Sequence, residues 1–362
     1  MARVQLRPRP GAFGEVSVHP LEAYLADCHA VRATGANVPE TSFYPALSTL
    51  FNEVGRHLKP KVRCFMGLKN QGVGMPDGGL FTESQYKKRG DTEPAPGQMP
   101  ERGVIEVKPV GTEMAKLVAG EQVARYWSKY RLVLVTDLRE FVLLGEDGNK
   151  TIVRERYAIS PTAHQFWELA GHPRKAADDQ GARFSEFLRR VMLHAAPLMD
   201  PKDVAWFLAS YARDARSRVE AAQLPALQAL RAGLEQALGL KFEGEKGEHF
   251  FRSTLVQTLF YGVFASWVLW HREGGKGNFD WHNAAWSLHV PMIGTLFEQI
   301  AVPSKLLPLG LDEPLGHAAA TLNRVARIEF FKRFEDRHAV QYFYEPFLEA
   351  FDPGLRKELG VW

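Results

Sequence analysis

Residues 75–111 read MPDGGLFTESQYKKRGDTEPAPGQMPERGVIEVKPVG, and the pentapeptide Val104-Ile105-Glu106-Val107-Lys108 near their end decides the fold. Its β-branched content predicts a strand. Side chains alternate along a strand, so Glu106 and Lys108 share one face while Ile105 and Val107 enter the core. A buried strand that spends two positions on opposite charges needs a reason. The same stretch opens with a turn that delivers a further carboxylate, Asp77, just before the apolar Leu80 and Phe81. Two readings of the three charges stand side by side. In one, Asp77 and Glu106 hold a hard cation such as Mg²⁺ while Lys108 orients water for attack on a phosphodiester. In the other, Glu106 and Lys108 form an edge-strand ion pair and Asp77 belongs to an ordinary turn.

Working outward, Thr112–Lys129 reads as a helix capped by Thr112, with Ala115, Val118, Val123 and Trp127 apolar and Gln122 and Tyr126 four residues apart on one face. Arg131–Asp137, Glu140–Gly145 and Thr151–Ile159 then read as strands. Upstream, residues 20–58 predict two helices that flank the sheet. The second begins near Thr41 or Ser42 and carries Phe43, Leu47, Leu50, Phe51, Val54 and Leu58 as its apolar stripe. Glu53 lies at the edge of that stripe, within reach of the three charges or simply solvated.

Pro76-Asp77, Glu106-Val107-Lys108 and Gln122-Val123-Ala124-Arg125-Tyr126, in this order and spacing, resemble the PD-(D/E)xK nuclease superfamily. Within it they resemble the Gln-x-x-x-Tyr branch, seen in RecB-like nucleases and in the nuclease domains of Type I-like restriction enzymes. The resemblance implies a restriction-endonuclease-like α/β domain, a mixed sheet flanked by helices. It implies Asp77 and Glu106 as ligands for Mg²⁺, with Mn²⁺ as a substitute, Lys108 as the catalytic lysine, and Gln122 with Tyr126 supporting the site or touching DNA. The family often adds an acid from the preceding helix, and Glu53 is the candidate third ligand.

Basic residues gather around this stretch. Lys59, Lys61, Arg63 and Lys69 precede it, Lys87, Lys88 and Arg89 lie in the proline-rich loop Glu83–Arg102, and Arg125 sits inside the helical motif. These are candidate contacts to phosphates of double-stranded DNA, and the loop could clamp a duplex; ordinary solubility charge is the plainer alternative. Gly72, Gly74, Gly78 and Gly79 suit either close phosphate approach or a plain hairpin.

The 362 residues suffice for two domains, and 45% hydrophobic with 24% charged residues is ordinary globular composition. A net charge of +3 permits a nucleic-acid partner without demanding one. Cys28 and Cys64 make no disulfide framework and fit a reducing cytoplasm. The basic N-terminus lacks the apolar core of a secretory signal, and the apolar run Leu255–Trp270 is too short to span a membrane, so no membrane partner is expected.

From Ser160 onward the periodicity turns helical, which divides the chain into a nuclease-like domain (1–159), an all-α helical connector (160–335) and a tail (336–362). Helices are expected from Ser160-Pro161, from Asp200-Pro201, and over residues 224–238, 247–272, 282–300 and 316–334. His249, His271, His282 and His289 have no metal-site spacing, Trp267, Trp270, Trp281 and Trp286 read as core, and Glu273–Asn278 lacks the phosphate-loop pattern. Ala339–Leu348 followed by Phe351-Asp352-Pro353 resembles the lead-in to the adenine-N6 methyltransferase domain of single-chain restriction-modification enzymes. No Asn/Asp-Pro-Pro-Tyr tetrad is present, so methyl transfer is not expected from these residues. The expectation is therefore the endonuclease portion of a restriction-modification protein, with methyltransferase and target-recognition domains in the same polypeptide or a partner subunit. Two alternatives stay open: a non-catalytic nuclease-fold module, and a nuclease of repair or phage defence working alone.

Overall fold

A computed structural model describes residues 18–35, 38–86, 93–95, 97–147, 150–222, 225–239, 241–283, 303–334 and 343–354. The chain divides into two compact units, Met1–Ala195 and Ala196–Trp362.

The first unit is built on a six-stranded sheet in sequence order: β1 (Val62–Met66), β2 (Gly78–Thr82), β3 (Val104–Val107), β4 (Val133–Thr136), β5 (Glu140–Asp147) and β6 (Lys150–Ala158). Every neighbouring pair is antiparallel except β3 and β4, which run parallel with Glu106 opposite Val135. A parallel pair needs a crossover. Here it is supplied by α3 (Met114–Val118) and α4 (Glu121–Tyr130). The expected single helix from Thr112 is thus two. Gly120 has extended backbone angles (φ −73°, ψ 149°) as N-cap of α4, and the Thr112 hydroxyl bonds back to the Pro109 carbonyl instead of capping.

Both faces of the sheet are covered, as a strand with parallel pairing requires. Leu80, Ile105, Val107, Leu134, Phe141 and Leu143 face α1 (Pro20–Ala33), α2 (Tyr44–Gly55), α5 (Ala163–Gly171) and α6 (Pro173–Leu193). Val104, Val133, Val135, Val142 and Leu144 pack against Met114, Val123, Tyr126 and Tyr130 of α3 and α4. Alternation places Glu106 on this second face with Val104.

Two boundaries differ from expectation. A 3₁₀ turn, Glu40–Phe43, precedes α2, so the helix starts at Tyr44 rather than Thr41 or Ser42. The all-α region does not begin a new unit at residue 160: Phe166, Phe184, Phe187 and Leu188 of α5 and α6 share one core with Leu21, Phe51 and Phe141. Periodicity shows that a helix has an apolar face and is silent on what that face covers.

The second unit is helical. Among the described residues it includes α7 (Pro201–Ala221), α8 (Pro225–Leu238), α9 (Gly244–Arg272) and the shorter helices Pro303–Leu306, Asp312–Asn323, Arg327–Arg333 and Glu345–Phe351. Asp200 caps α7 by accepting from the Lys202 N–H at 2.9 Å, with Pro201 in the first turn, as its sequence predicts. The stretch expected as one helix over 316–334 is broken where Val325 bridges Leu198. Trp267 and Trp281 are core, Trp270 packs on Phe279, and Trp286, His289 and most of the helix expected over 282–300 lie outside the described residues. No helix is long and apolar enough to cross a membrane among the described residues.

The described part of the C-terminal tail, residues 343–354, packs within this unit. Phe347 meets Phe260 and Tyr261 of α9, and buried Asp352 accepts from Arg216 (2.9 Å) and Ser253 (2.9 Å) and lies 3.0 Å from His249 Nε2. Ala339–Tyr342 lie outside the described residues.

Candidate active site

Three elements deliver the site. β3 ends in Glu106-Val107 and passes into Lys108, β2 begins immediately after Asp77, and the 3₁₀ turn before α2 carries Glu40 and leads into Tyr44. Because β2 and β3 are antiparallel, the start of one lies beside the end of the other, and that brings Asp77 to Glu106.

Asp77 is fixed through both oxygens. Its Oδ2 accepts the Val107 N–H at 2.7 Å and its Oδ1 accepts the Tyr44 hydroxyl at 2.5 Å. Glu106 is 1% exposed. Its Oε1 accepts from the Lys108 ammonium, and its Oε2 is buried with no hydrogen-bond partner. Burial pushes the Glu106 carboxyl up to about 7, with Asp77 and Glu40 adding repulsion against the pull of Lys108. Lys108 is raised: burial works against its charge, but the bond to Glu106 and the carboxylates of Glu106, Glu40 and Asp77 outweigh that. Tyr44 is raised by burial and by its bond to Asp77, so it stays a donor at neutral pH.

The carboxylate that joins this cluster from the N-terminal side is Glu40. Burial raises it, Asp77 repels it and Lys108 attracts it. Glu53, the residue expected there, pairs instead with Arg56 at 2.7 Å with its side chain 38% exposed. Both acids precede the first motif turn, and only the 3₁₀ turn Glu40–Phe43 determines which one folds back.

Gln122 and Tyr126 act one step away from the carboxylates. The Gln122 amide donates to the Tyr126 hydroxyl at 3.1 Å, and that hydroxyl donates to the Met75 carbonyl at 2.9 Å. The Lys129 ammonium holds the Gln71 carbonyl in the same loop. Gly74, at φ +109°, keeps this loop against Tyr126, since a Cβ there would sit 3.2 Å from its ring. α4 therefore straps down the segment that aims Asp77.

Lys59, Lys61, Arg63, Lys69 and Arg125 are exposed. Arg63 on β1 covers the rings of Phe65 and Tyr86, and Lys69 borders a cleft of about 220 Å³ beside Phe65 and Phe81. Lys87, Lys88 and Arg89 lie outside the described residues. The base of their loop is tied shut by Gln85, whose side chain bonds the backbone of Thr82, Met99 and Glu101. Gly78 and Gly79 serve the β1–β2 hairpin, where Met66, Leu68 and Pro100 fill the space of any Cβ.

The donor set suits a hard divalent cation: carboxylates only, one of them with an orphaned oxygen. Among the described residues no three His, Cys, Asp or Glu side chains already converge as a metal site.

No protein-family model matches this sequence, and no curated protein matches it. Among solved structures the chain is similar to one in the cryoEM structure of a DrdV–DNA complex, at 14% identity and a TM-score of 0.29. The match covers 95% of this chain and 30% of that one, so the chain spans under a third of that neighbour's length.

Proposed function

We propose that this chain is the Mg²⁺-dependent endonuclease portion of a restriction-modification protein, hydrolysing DNA phosphodiesters. The observation that carries the reading is Glu106: a carboxylate 1% exposed, with one oxygen bonded only to Lys108 and the other to nothing. A fold keeps such a group at a cost, and a bound cation supplies the missing partner.

Asp77 and Glu106 would hold the ion, with Glu40 close enough to influence both electrostatically. When bound, Mg²⁺ supplies Lewis-acid stabilisation of the phosphoryl oxygens and a more acidic water. The Tyr44 and Val107 donors keep Asp77 in one orientation. Lys108 would orient the attacking water and offset charge growing on the phosphate. Water would add to phosphorus as the P–O3′ bond breaks, one water proton passing to solvent and O3′ taking one up, which leaves a 3′-hydroxyl and the 5′-phosphate that the family resemblance implies. Methyltransferase and recognition functions would come from the rest of the polypeptide or from a partner subunit.

A second reading, a nuclease-fold module that binds without cutting, is favoured by the absence of a converged metal array among the described residues. Plasmid cleavage in Mg²⁺ or Mn²⁺ decides between them. Cutting should vanish in EDTA and fall about 10²–10³-fold in Lys108→Ala. Equal cutting by the variant sinks the catalytic assignment, and a folded parent that neither cuts nor binds Mn²⁺ favours the second reading.

A further inference from the structure

Arg102 lies in the turn that leads into β3 and is 6% exposed. Its N–H donates to the Leu80 carbonyl, and the Leu80 N–H donates to the Gly103 carbonyl, both at 3.0 Å. Two residues thus stand opposite one, a β-bulge permitted by Gly103 at φ +92°. Bulges re-aim side chains. The Arg102 Nε is buried without a hydrogen-bond partner. No ion pair or side-chain hydrogen bond engages the rest of its guanidinium among the described residues, and its terminal nitrogens are absent from the buried orphans, so they reach solvent. The charge that acts on it is Glu101, whose Oε2 already accepts from the Thr82 hydroxyl at 2.6 Å. Burial lowers the guanidinium's pKa, as expected for a cation short of partners.

Other buried arginines in this unit behave differently. Arg139 is held by Asp137 and Glu140, and Arg190 grips both oxygens of Glu155. A desolvated guanidinium with a sealed stem and an open fork is shaped for an oxyanion from outside. Its surroundings point to which one. β1 pairing places Arg63 across from Phe81, and the Lys61 carbonyl accepts from Glu83, so two further basic residues stand at this end of the sheet. Glu106 is four residues along β3, on the order of 13 Å by strand rise. A nucleic-acid strand spans that length in a few nucleotides.

We propose that Arg102 is an anion-binding residue that holds a phosphodiester of the DNA strand a few nucleotides from the cleavage point. The DNA assignment rests on the proposed nuclease reading; the vacant guanidinium does not.

The test measures binding of a short fluorescein-labelled duplex in EDTA across a salt series, with melting curves, for the parent, Arg102→Met, Arg102→Gln and Arg102→Lys. Losing one phosphate contact should reduce the slope of log K against log salt by about 0.9 in the Met and Gln variants. Arg102→Lys should restore the slope but not the full affinity, because an ammonium cannot form the fork. Since no internal partner is lost, neither neutral variant should melt lower than the parent. A drop beyond about 5 °C would mean that the fold itself uses the charge, and would overturn the proposal. So would an unchanged slope, or a parent that binds no duplex. Metal-dependent cutting with an unchanged slope sinks Arg102 alone, whereas a lost slope in a chain that never cuts sinks the nuclease reading alone.

Discussion

Two clusters of buried charge sit on the same sheet, and they are built on opposite rules. At the β4–β5 turn, Asp137 is fully buried and both its oxygens are used. Oδ1 accepts from the Arg139 and Glu140 N–H groups, and Oδ2 from the Gly111 N–H at 3.0 Å and the Arg139 guanidinium. Arg139 in turn reaches the carbonyls of Ser160 and Pro161 and the carboxylate of Glu140, which also takes Arg156. This network closes the sheet's turn against the end of β6. At the end of β3, Glu106 is as deeply buried and has half its acceptors empty. The contrast teaches that burial and charge do not by themselves mark a site; the unfinished hydrogen bonding does.

Breaking the finished cluster should have the largest effect. Asp137→Ala leaves Arg139 with Glu140 as its one carboxylate partner among the described residues and opens the turn that Asp137 holds. Removing one partner of a buried network costs about 3–5 kcal/mol. Urea unfolding at neutral pH should show that loss. A change under about 1 kcal/mol would mean that the turn tolerates a missing carboxylate, and the contrast with Glu106 would lose its meaning.

The unfinished cluster should respond to pH through Glu106. The Glu106 carboxyl titrates near 7 in the folded chain against an ordinary value of 4.5. Between those values the folded chain keeps a proton that the unfolded chain has released, so the group costs stability progressively as pH rises through this window. Below it both states are protonated, and above about 7 the cost is complete. Glu106→Gln removes the titration. Measured in EDTA, the metal-free variant should gain on the parent by roughly 3 kcal/mol between the acid and neutral ends of the window. A stability difference that stays flat across it would show Glu106 to be as well satisfied as Asp137.

The same contrast explains what could be read from sequence. β-branched runs placed β3 through β6 to within a few residues, because strand formation there follows from local composition and period. β1 went unrecognised inside a basic stretch, where Arg63 and the flanking lysines masked the buried Val62 and Cys64. Asp77, Glu106 and Lys108 lie close together because antiparallel pairing sets the start of β2 beside the end of β3. Glu40 and Tyr44 were not legible. Neither lies on a periodic face that points at the site, and both depend on a 3₁₀ turn that only the tertiary packing of α2 determines. Arg102 was hidden in the same way: its isolation is a fact about partners, which a linear sequence does not display.

Tyr44 sharpens the comparison at its smallest scale, because it is one of the few satisfied contacts in the unfinished cluster. Its hydroxyl donates to Asp77 Oδ1 at 2.5 Å, while Val107 holds the other oxygen. In Tyr44→Phe one anchor remains and the carboxylate gains freedom to turn about it. Under the proposed function Asp77 is a metal ligand, and groups that orient such a ligand typically contribute 10–100-fold to metal affinity, so Mn²⁺ binding by calorimetry should weaken by about that factor. Folding stability should change little, since Phe keeps the ring and a hydrogen bond of this kind contributes about 1 kcal/mol. Unchanged Mn²⁺ affinity in a parent that binds the ion would mean that Val107 alone orients Asp77. A loss of stability larger than the loss of affinity would place Tyr44 with Asp137, among the groups that finish the fold rather than those that prepare the site.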